Sequence, residues 1–451
     1  MNTITPASPT TLRKVTAAAA IGNFVEWFDF AVYGFLATII AQNFFSQAPP
    51  QTALLQTFLV FAVAFALRPL GGVICGMLGD KYGRKRILSL TVLMMAGATT
   101  VIGLLPTYAH LGIMAPILLT LARCVQGFSA GGEYAGACAY VMEHAPPRKR
   151  AWYGSFITVS TFSAFAAAAA ITFLLDFTLG QQQMREWGWR IPFLIAAPLG
   201  LVGIYLRVRM EETPAFRAAR SENAGSHASL SETLGQQMGN ILRLGAFIAL
   251  TALSFYMFTT YFSTFLQLQG HLSRASALLV SFIALLFAAG LCPVAGALCD
   301  RMGRRKTVAL TGGWVIVSVF PAWWLASSGP LWAAILGDIL LATGAVFSGV
   351  VTAALLSEVF PTRARYTASA ITYNLAYTLF GGTAPLMATW LIDYTGNALS
   401  PAFYLTLVAL LALAGGLALP ETSRISLQDD AVGRSSRQQG TSGAVVRKKA
   451  V

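Results

Sequence analysis

Gly79-Asp80-Lys81-Tyr82-Gly83-Arg84-Lys85-Arg86 stands between two long apolar runs, and 220 positions later Cys299-Asp300-Arg301-Met302-Gly303-Arg304-Arg305-Lys306 repeats the pattern. A short charged turn that recurs once per half-chain, each time between segments of membrane length, reads as the mark of a duplicated helical membrane bundle. A second match carries the duplication further. Glu143, Pro146, Arg148 and Arg150 recur at a constant offset of 215 as Glu358, Pro361, Arg363 and Arg365, each set following the fourth apolar run of its half.

Composition agrees with that reading. The chain is 56% hydrophobic and 11% charged, with a mean hydropathy of +0.63, where an ordinary soluble domain carries roughly 25% charged residues. Runs such as 53–77 and 241–266 reach the ~20 residues needed to cross a hydrocarbon core. Nothing alternates as barrel strands do, so the expected fold is an all-α integral membrane bundle of twelve transmembrane helices in two pseudo-symmetric six-helix halves. The spans are predicted near 15–41, 53–77, 87–105, 113–142, 154–177 and 189–205, then 241–266, 277–297, 307–326, 331–359, 368–390 and 401–419. This divides the chain into an N-terminal half (1–206), a polar linker (207–239), a C-terminal half (240–420) and a polar, Gly/Ser-rich tail (421–451) expected to be disordered. Two parallel six-helix repeats are the architecture of a secondary transporter whose site lies at mid-membrane between them.

The net charge of +13 is explained by topology rather than by nucleic acid. Of the 31 Lys and Arg, 26 lie in alternate loops and the two termini. The positive-inside rule makes that side cytoplasmic, with both termini inside and the protein multi-pass in the inner membrane. The first apolar stretch is too long, and too interrupted by carboxylates, for a cleaved leader, so it is read as a retained helix. Cys75, Cys124, Cys138, Cys292 and Cys299 lie in or beside apolar runs without metal-ligand spacing. No metal, cofactor or disulfide is expected, and the chain is expected to work as a monomer in the lipid bilayer.

Further stretches carry a resemblance. Gly22-Asn23-Phe24-Val25-Glu26-Trp27-Phe28-Asp29-Phe30, Arg68-Pro69-Leu70-Gly71-Gly72, Gln126-Gly127-Phe128-Ser129-Ala130-Gly131-Gly132-Glu133, Trp187-Gly188-Trp189-Arg190-Ile191-Pro192-Phe193 and Glu211-Glu212-Thr213-Pro214-Ala215-Phe216 accompany the repeated turn. Together they resemble the major facilitator superfamily, and within it the metabolite:proton symporters that include proline/betaine, α-ketoglutarate, shikimate and citrate carriers. The N-terminal half is most similar to the proline/betaine carriers, and Phe255-Tyr256-Met257-Phe258-Thr259-Thr260-Tyr261 to the α-ketoglutarate carriers. The resemblance implies that the charged turn is a conformational latch of Gly79, Asp80, Gly83, Arg84 and Lys85, with Asp300, Gly303, Arg304 and Arg305 in the second copy.

The residue types point to a transport site. Glu26 and Asp29 are spaced i, i+3 and share a helix face that Tyr33 continues. A carboxylate at mid-bilayer costs about 2.5–3.5 kcal/mol on insertion scales and normally faces a cavity. One of the two could instead pair with Arg68, at similar depth on the second helix. Arg123, Gln126, Ala130 and Glu133 fall within an arc of about 80° on the fourth predicted helix, with small Ala130 between the polar groups, as in a lined cavity rather than a lipid face. Arg123 is then an anchor for a substrate carboxylate, and Glu133, with Glu26 and Asp29, a proton carrier. The alternative is a permanent Arg123–Glu133 or Arg123–Asp29 pair that only holds helices together. Tyr256, Tyr261, Asn374 and Tyr377 supply hydroxyls, an amide and ring faces suited to a quaternary ammonium. Asp338 stands alone on the tenth predicted helix.

These features point to proton-coupled import of a small carboxylate-bearing metabolite, either a zwitterion such as proline or betaine or an acid such as α-ketoglutarate or citrate. Drug efflux by proton antiport is the alternative, although 154–171 lacks the Gly-Pro pair of antiporter relatives. Four His and no nucleophile–base pair on one face argue against an enzyme, and the asymmetric mid-membrane charges argue against the repeated rings of a channel.

Overall fold

In hydrocarbon each backbone N–H and C=O must find its partner inside its own segment, so the apolar runs fold as helices. The computed structural model describes residues 9–82, 84–131, 133–209, 230–361, 365–423 and 425, and all their regular elements are helical. Eight are long and apolar enough to cross a bilayer, a ninth does so as a pair bent by 62°, and three shorter apolar helices complete twelve among the described residues.

The first span runs Pro9–Phe35 and Ala37–Phe44, the second Pro50–Ala66 and Arg68–Tyr82, and the third Arg84–Leu104. The fourth is Met114–Ser129 with Glu133–His144, the fifth Arg150–Gln183 and the sixth Arg190–Arg209. The seventh joins Leu230–Tyr256 to Phe262–Leu268 through a π-helical turn, Met257–Tyr261. The eighth to tenth are Arg274–Met302, Arg304–Ser327 and Leu331–Glu358. The eleventh runs Arg365–Ala376 and Ala384–Thr395 around a second π-helical turn, Tyr377–Gly382, and the twelfth is Ser400–Leu417.

Several boundaries differ from the sequence reading. Helix continues to Arg209 and resumes at Leu230 inside the stretch read as linker. The fifth span reaches Gln183, but Gly180 at φ 73° bends it three residues after the predicted end. The fourth span breaks between Ser129 and Glu133, so the single 80° arc drawn through Arg123 and Glu133 does not hold.

The halves meet along pairs of spans. The fifth packs along the eighth, the second against the eleventh, the first against the seventh and the fourth against the tenth. Within the N-terminal half the second and fourth spans touch backbone to backbone. A Cβ built on Gly127 would overlap the Ala64 carbonyl, and one on Gly71 the Phe128 carbonyl. Small residues permit this approach, which apolar lipid alone would not drive. Gly127→Ala must therefore push two backbones apart, an overpacking worth about 1–3 kcal/mol or more. A fall of several degrees in the unfolding temperature of the detergent-purified protein is the expected result; an unchanged value would mean that the spans separate freely.

A candidate site between the two halves

Asp29 and Glu26 lie on the stretch of the first span that faces the third and fourth spans. Asn23 fixes this stretch by donating to Thr161 Oγ1 at 2.7 Å and Ser160 Oγ at 2.9 Å on the fifth span, and it accepts from Trp27 Nε1 at 3.0 Å. Asp29 is 2% exposed, lies beside Thr99 of the third span and feels the charge of Arg123. Its Oδ1 has no hydrogen-bond partner among the described residues. Glu26 approaches Arg68 at 3.5 Å. Of the alternatives open in the sequence, a carboxylate pairing with Arg68 is therefore present, through Glu26.

Arg68 is brought inward by the break of the second span at Leu67, where Pro69 follows and cannot donate a helical hydrogen bond. It donates to Ala130 O at 3.3 Å and stands 5.2 Å from the Phe65 ring centre, 5.4 Å from that of Phe30 and 5.9 Å from that of Trp27. A guanidinium in this setting gains from the ring quadrupoles.

Arg123 is fully buried on the fourth span. One terminal nitrogen donates to Gln126 Oε1 at 2.7 Å, and Gln126 in turn donates to Thr99 Oγ1 at 2.5 Å. The guanidinium lies 4.2 Å from the centre of the Tyr33 ring, whose hydroxyl is tied back to Thr57 O at 3.0 Å. Nε and the second terminal nitrogen have no hydrogen-bond partner among the described residues. A fixed guanidinium with free donors can receive a carboxylate.

Rings pack against this cluster from the C-terminal half. Tyr256 packs edge-on against Phe65 (5.2 Å between centres), Phe61 (5.6 Å) and Tyr377 (6.2 Å), and lies 6.4 Å from Trp27. The π-helical turns begin at residues 257 and 377, where the looser winding re-aims side chains.

Other residues singled out in the sequence lie elsewhere. Tyr261 packs on Phe58 and Trp323, away from the arginines. Asn374 spends its amide on Gly131 O at 2.6 Å, bridging the eleventh span to the break in the fourth. Glu133 begins the second part of the fourth span, and its side chain falls outside the described residues, as do those of Asp80, Arg84 and Lys85 and any detail at Gly79. Gly83 lies outside them altogether. Asp338 is fully buried on the tenth span, with both oxygens unpaired among the described residues. Trp27, Phe61 and Phe65, which pack around the two arginines, carry no distinguishing signal in the sequence; in an apolar run a ring facing a site looks like one facing lipid.

The second charged turn is fully visible. Gly303 takes φ 90°, ending the eighth span. Asp300 accepts from the backbone N–H of Ala151 at 3.0 Å and Trp152 at 2.9 Å, capping the fifth span across the half-to-half seam. Arg304 binds Glu358 through two bonds of 3.0 and 2.8 Å and Asp300 at 2.9 Å. Arg150 approaches Glu358 at 3.9 Å. The repeat at offset 215 had already singled out Glu358 and Arg150, although not as partners of the turn.

The tail read as disordered from Glu421 is docked at its start. Glu421 accepts from the N–H of Arg304 at 2.9 Å and Arg305 at 3.0 Å, capping the ninth span, and Thr422 donates to Glu358 at 2.7 Å. Partial burial alone would raise the Glu421 carboxyl, but the N–H groups of Arg304, Arg305 and Ser423 hold it below its ordinary value. At the opposite end of the same seam half-buried Arg274 pairs with buried Asp176 at 3.2 Å. The seam between the halves is thus bridged at both ends.

The sequence matches the Major Facilitator Superfamily over residues 19–385. The chain belongs to this superfamily. Superfamily members of this fold are transporters rather than enzymes, and the chain is a multi-pass membrane protein among them. It is 39% identical over 427 residues to the glycine betaine/proline/ectoine/pipecolic acid transporter OusA of Dickeya dadantii, covering 92% of this chain and 85% of that one. It is 38% identical to the proline/betaine transporter of Escherichia coli strain K12 and 36% identical to the ectoine/proline transporter ProP of Corynebacterium glutamicum, with the same coverage. The proton:xylose symporter XylE shares the major facilitator fold with a TM-score of 0.73 at 17% identity, covering 94% of this chain and 99% of that one.

Proposed function

We propose that this superfamily member imports a small zwitterion of the proline/betaine type together with a proton, by alternating access. The observation that carries the reading is the pairing, in one buried cluster at the seam between the halves, of an anion anchor with aromatic rings. The free donors of Arg123 suit a carboxylate, and the rings of Trp27, Phe65, Tyr256 and Tyr377 suit an ammonium. Two of these rings, Trp27 and Phe65, already hold one cation, Arg68, which a substrate ammonium would join or displace. The names of the relatives, carriers of proline, betaines and ectoine, support the same class.

Asp29 is the proton carrier in this reading, a carboxylate within reach of the Arg123 field whose unpaired oxygen can take or lose a proton as substrate comes and goes. Residues 1–206 and 240–420 are the halves that rock. The end bearing the charged turns is cytoplasmic, with both termini there, in an inner membrane, and the working unit is a monomer. The membrane potential contributes about 2.3 kcal/mol per charge per 100 mV to accumulation.

The test is uptake by proteoliposomes, with an imposed inward pH gradient, of labelled betaine, proline, ectoine, α-ketoglutarate and citrate. Gradient-stimulated uptake of the zwitterions is expected. Asp29→Asn should lose the gradient stimulation while retaining measurable exchange. Tyr256→Leu should raise the betaine KM about tenfold, the ~1–2 kcal/mol of a desolvated cation–π contact. Uptake confined to the organic acids would overturn the substrate class, and stimulation by an opposite gradient would favour antiport.

A further inference from the structure

A small cavity lies on the flank of the N-terminal half, away from the seam between the halves. It is bordered by Gly22, Glu26 and Asp29 of the first span, Met95 and Ala96 of the third and Gly203 of the sixth, and it measures about 10 Å³. That is the room of a single water molecule. Gly22, Glu26 and Asp29 are spaced i, i+4, i+7, so they stack along one face of the helix. The polar groups on the wall are the two carboxylates, one oxygen of which, Asp29 Oδ1, is buried without a partner among the described residues. Among the described residues, none of the C-terminal half borders the cavity.

We infer that this cavity is a one-water site that relays the coupling proton between Asp29 and the cytoplasmic end, apart from the path of the substrate. The inference rests on the proton-carrier role proposed for Asp29. Three features give the direction. Gly22 lies about 10 Å closer than Asp29 to the beginning of the first span, at seven residues of helix rise. Gly203 lies six residues before Arg209, the end of the sixth span. The candidate substrate site, by contrast, lies against the rings of the seventh and eleventh spans. The charges that face Asp29 and Glu26 from neighbouring elements are Arg123 of the fourth span and Arg68 of the second. Neither borders the cavity, so a proton leaving by it moves away from two fixed positive charges. In symport this order has a use: after the substrate has gone, Asp29 still has to discharge before the empty carrier can return. A separate water allows that step without passing through the substrate site.

Gly203 provides the handle. A Cβ added there would meet Val92 at 3.4 Å and Val25 at 3.6 Å, ordinary contact distances, so Gly203→Ala fits while taking space from the water. Net uptake driven by a pH gradient requires proton release, whereas exchange of labelled for unlabelled substrate at equal pH does not. In proteoliposomes Gly203→Ala is expected to slow gradient-driven uptake roughly tenfold or more, the scale of losing a proton-transfer partner, while exchange falls far less. Gly203→Ser, whose hydroxyl can stand in for the water, is expected to lie nearer the native rate than Gly203→Ala. Equal gradient-driven uptake in all three proteins overturns the relay. So does a Gly203→Ala defect of the same size in exchange, which would be structural. Asp29→Asn in the same preparation separates the two readings: if it keeps gradient stimulation, the carrier role fails, and if it loses it while Gly203→Ala behaves as native, only the route fails.

Discussion

Replacing Arg123 with alanine is expected to lower zwitterion uptake by about 100-fold or more, with most of the loss in apparent affinity. The guanidinium is fully buried, is held by Gln126 and stacks on Tyr33. Removing one partner of a buried charged pair costs about 3–5 kcal/mol, or two to four orders of magnitude in binding. Here the partner left unmatched is the substrate carboxylate, so the deficit falls on KM. Arg123→Lys should recover only part of it, because an ammonium keeps the charge but loses the planar fork that can grip two oxygens. Gln126→Ala offers a milder form of the same test, since it frees the guanidinium without deleting it. KM and maximal rate for proline and betaine in proteoliposomes, beside the unfolding temperature of each variant, are the measurements. A native KM in Arg123→Ala would remove the residue from the binding site.

Breaking the charged turn of the second half is expected to open the end that carries it. Arg304 is 1% exposed and makes two bonds to Glu358 and one to Asp300, and Asp300 caps the fifth span across the seam. Arg304→Ala takes the closest cation from both acids, leaving Glu358 to Arg150 and Thr422 and Asp300 to two backbone N–H groups, and a loss of about 3 kcal/mol would move a closed-to-open population ratio by about two orders of magnitude. Thr158, buried in the fifth span against Gly349 of the tenth, lies behind that gate. In a background with the five native cysteines replaced, a Thr158→Cys thiol should react with a membrane-impermeant maleimide at least tenfold faster once Arg304→Ala is added. Net uptake should fall, because the closed intermediate is no longer favoured. Unchanged labelling would show that the network holds helices together without gating.

Much of this protein was legible in its sequence, and the reason is the solvent. In lipid a charge stands out against an apolar run, so Asp29, Arg68 and Arg123 announced themselves, and the repeated turn with its offset partners displayed the duplication. The positions that resisted are those where the local rule gives way to a tertiary one. Glu133 was placed on one face with Arg123 by assuming a continuous helix, and the break after Ser129 removes that assumption. Tyr256 and Tyr377 were singled out, but the π-helical turns after Tyr256 and at Tyr377 have no signature in composition. Trp27, Phe61 and Phe65 differ from lipid-facing rings only in what lies opposite them. Asn374 read as a substrate ligand because an amide in a membrane helix asks for a partner; its partner is the Gly131 carbonyl. Glu421 looked like the start of a loose tail because its partners, the N–H groups of Arg304 and Arg305, lie more than a hundred residues away.

That last contact ties distant parts of the chain into one mechanical linkage. The segment leaving the twelfth span is bolted to the head of the ninth by Glu421, to the gate acid Glu358 by Thr422, and to the fifth span where Arg150 donates to the Ile425 carbonyl at 2.6 Å. When the charged end parts, the fifth and ninth spans separate, and one of these fastenings has to let go or be pulled along. A load placed on the chain just past Ile425, such as a fused reporter or a tethering surface, therefore acts on the gate itself, and a tension sensor joined there would register each turnover as a tug.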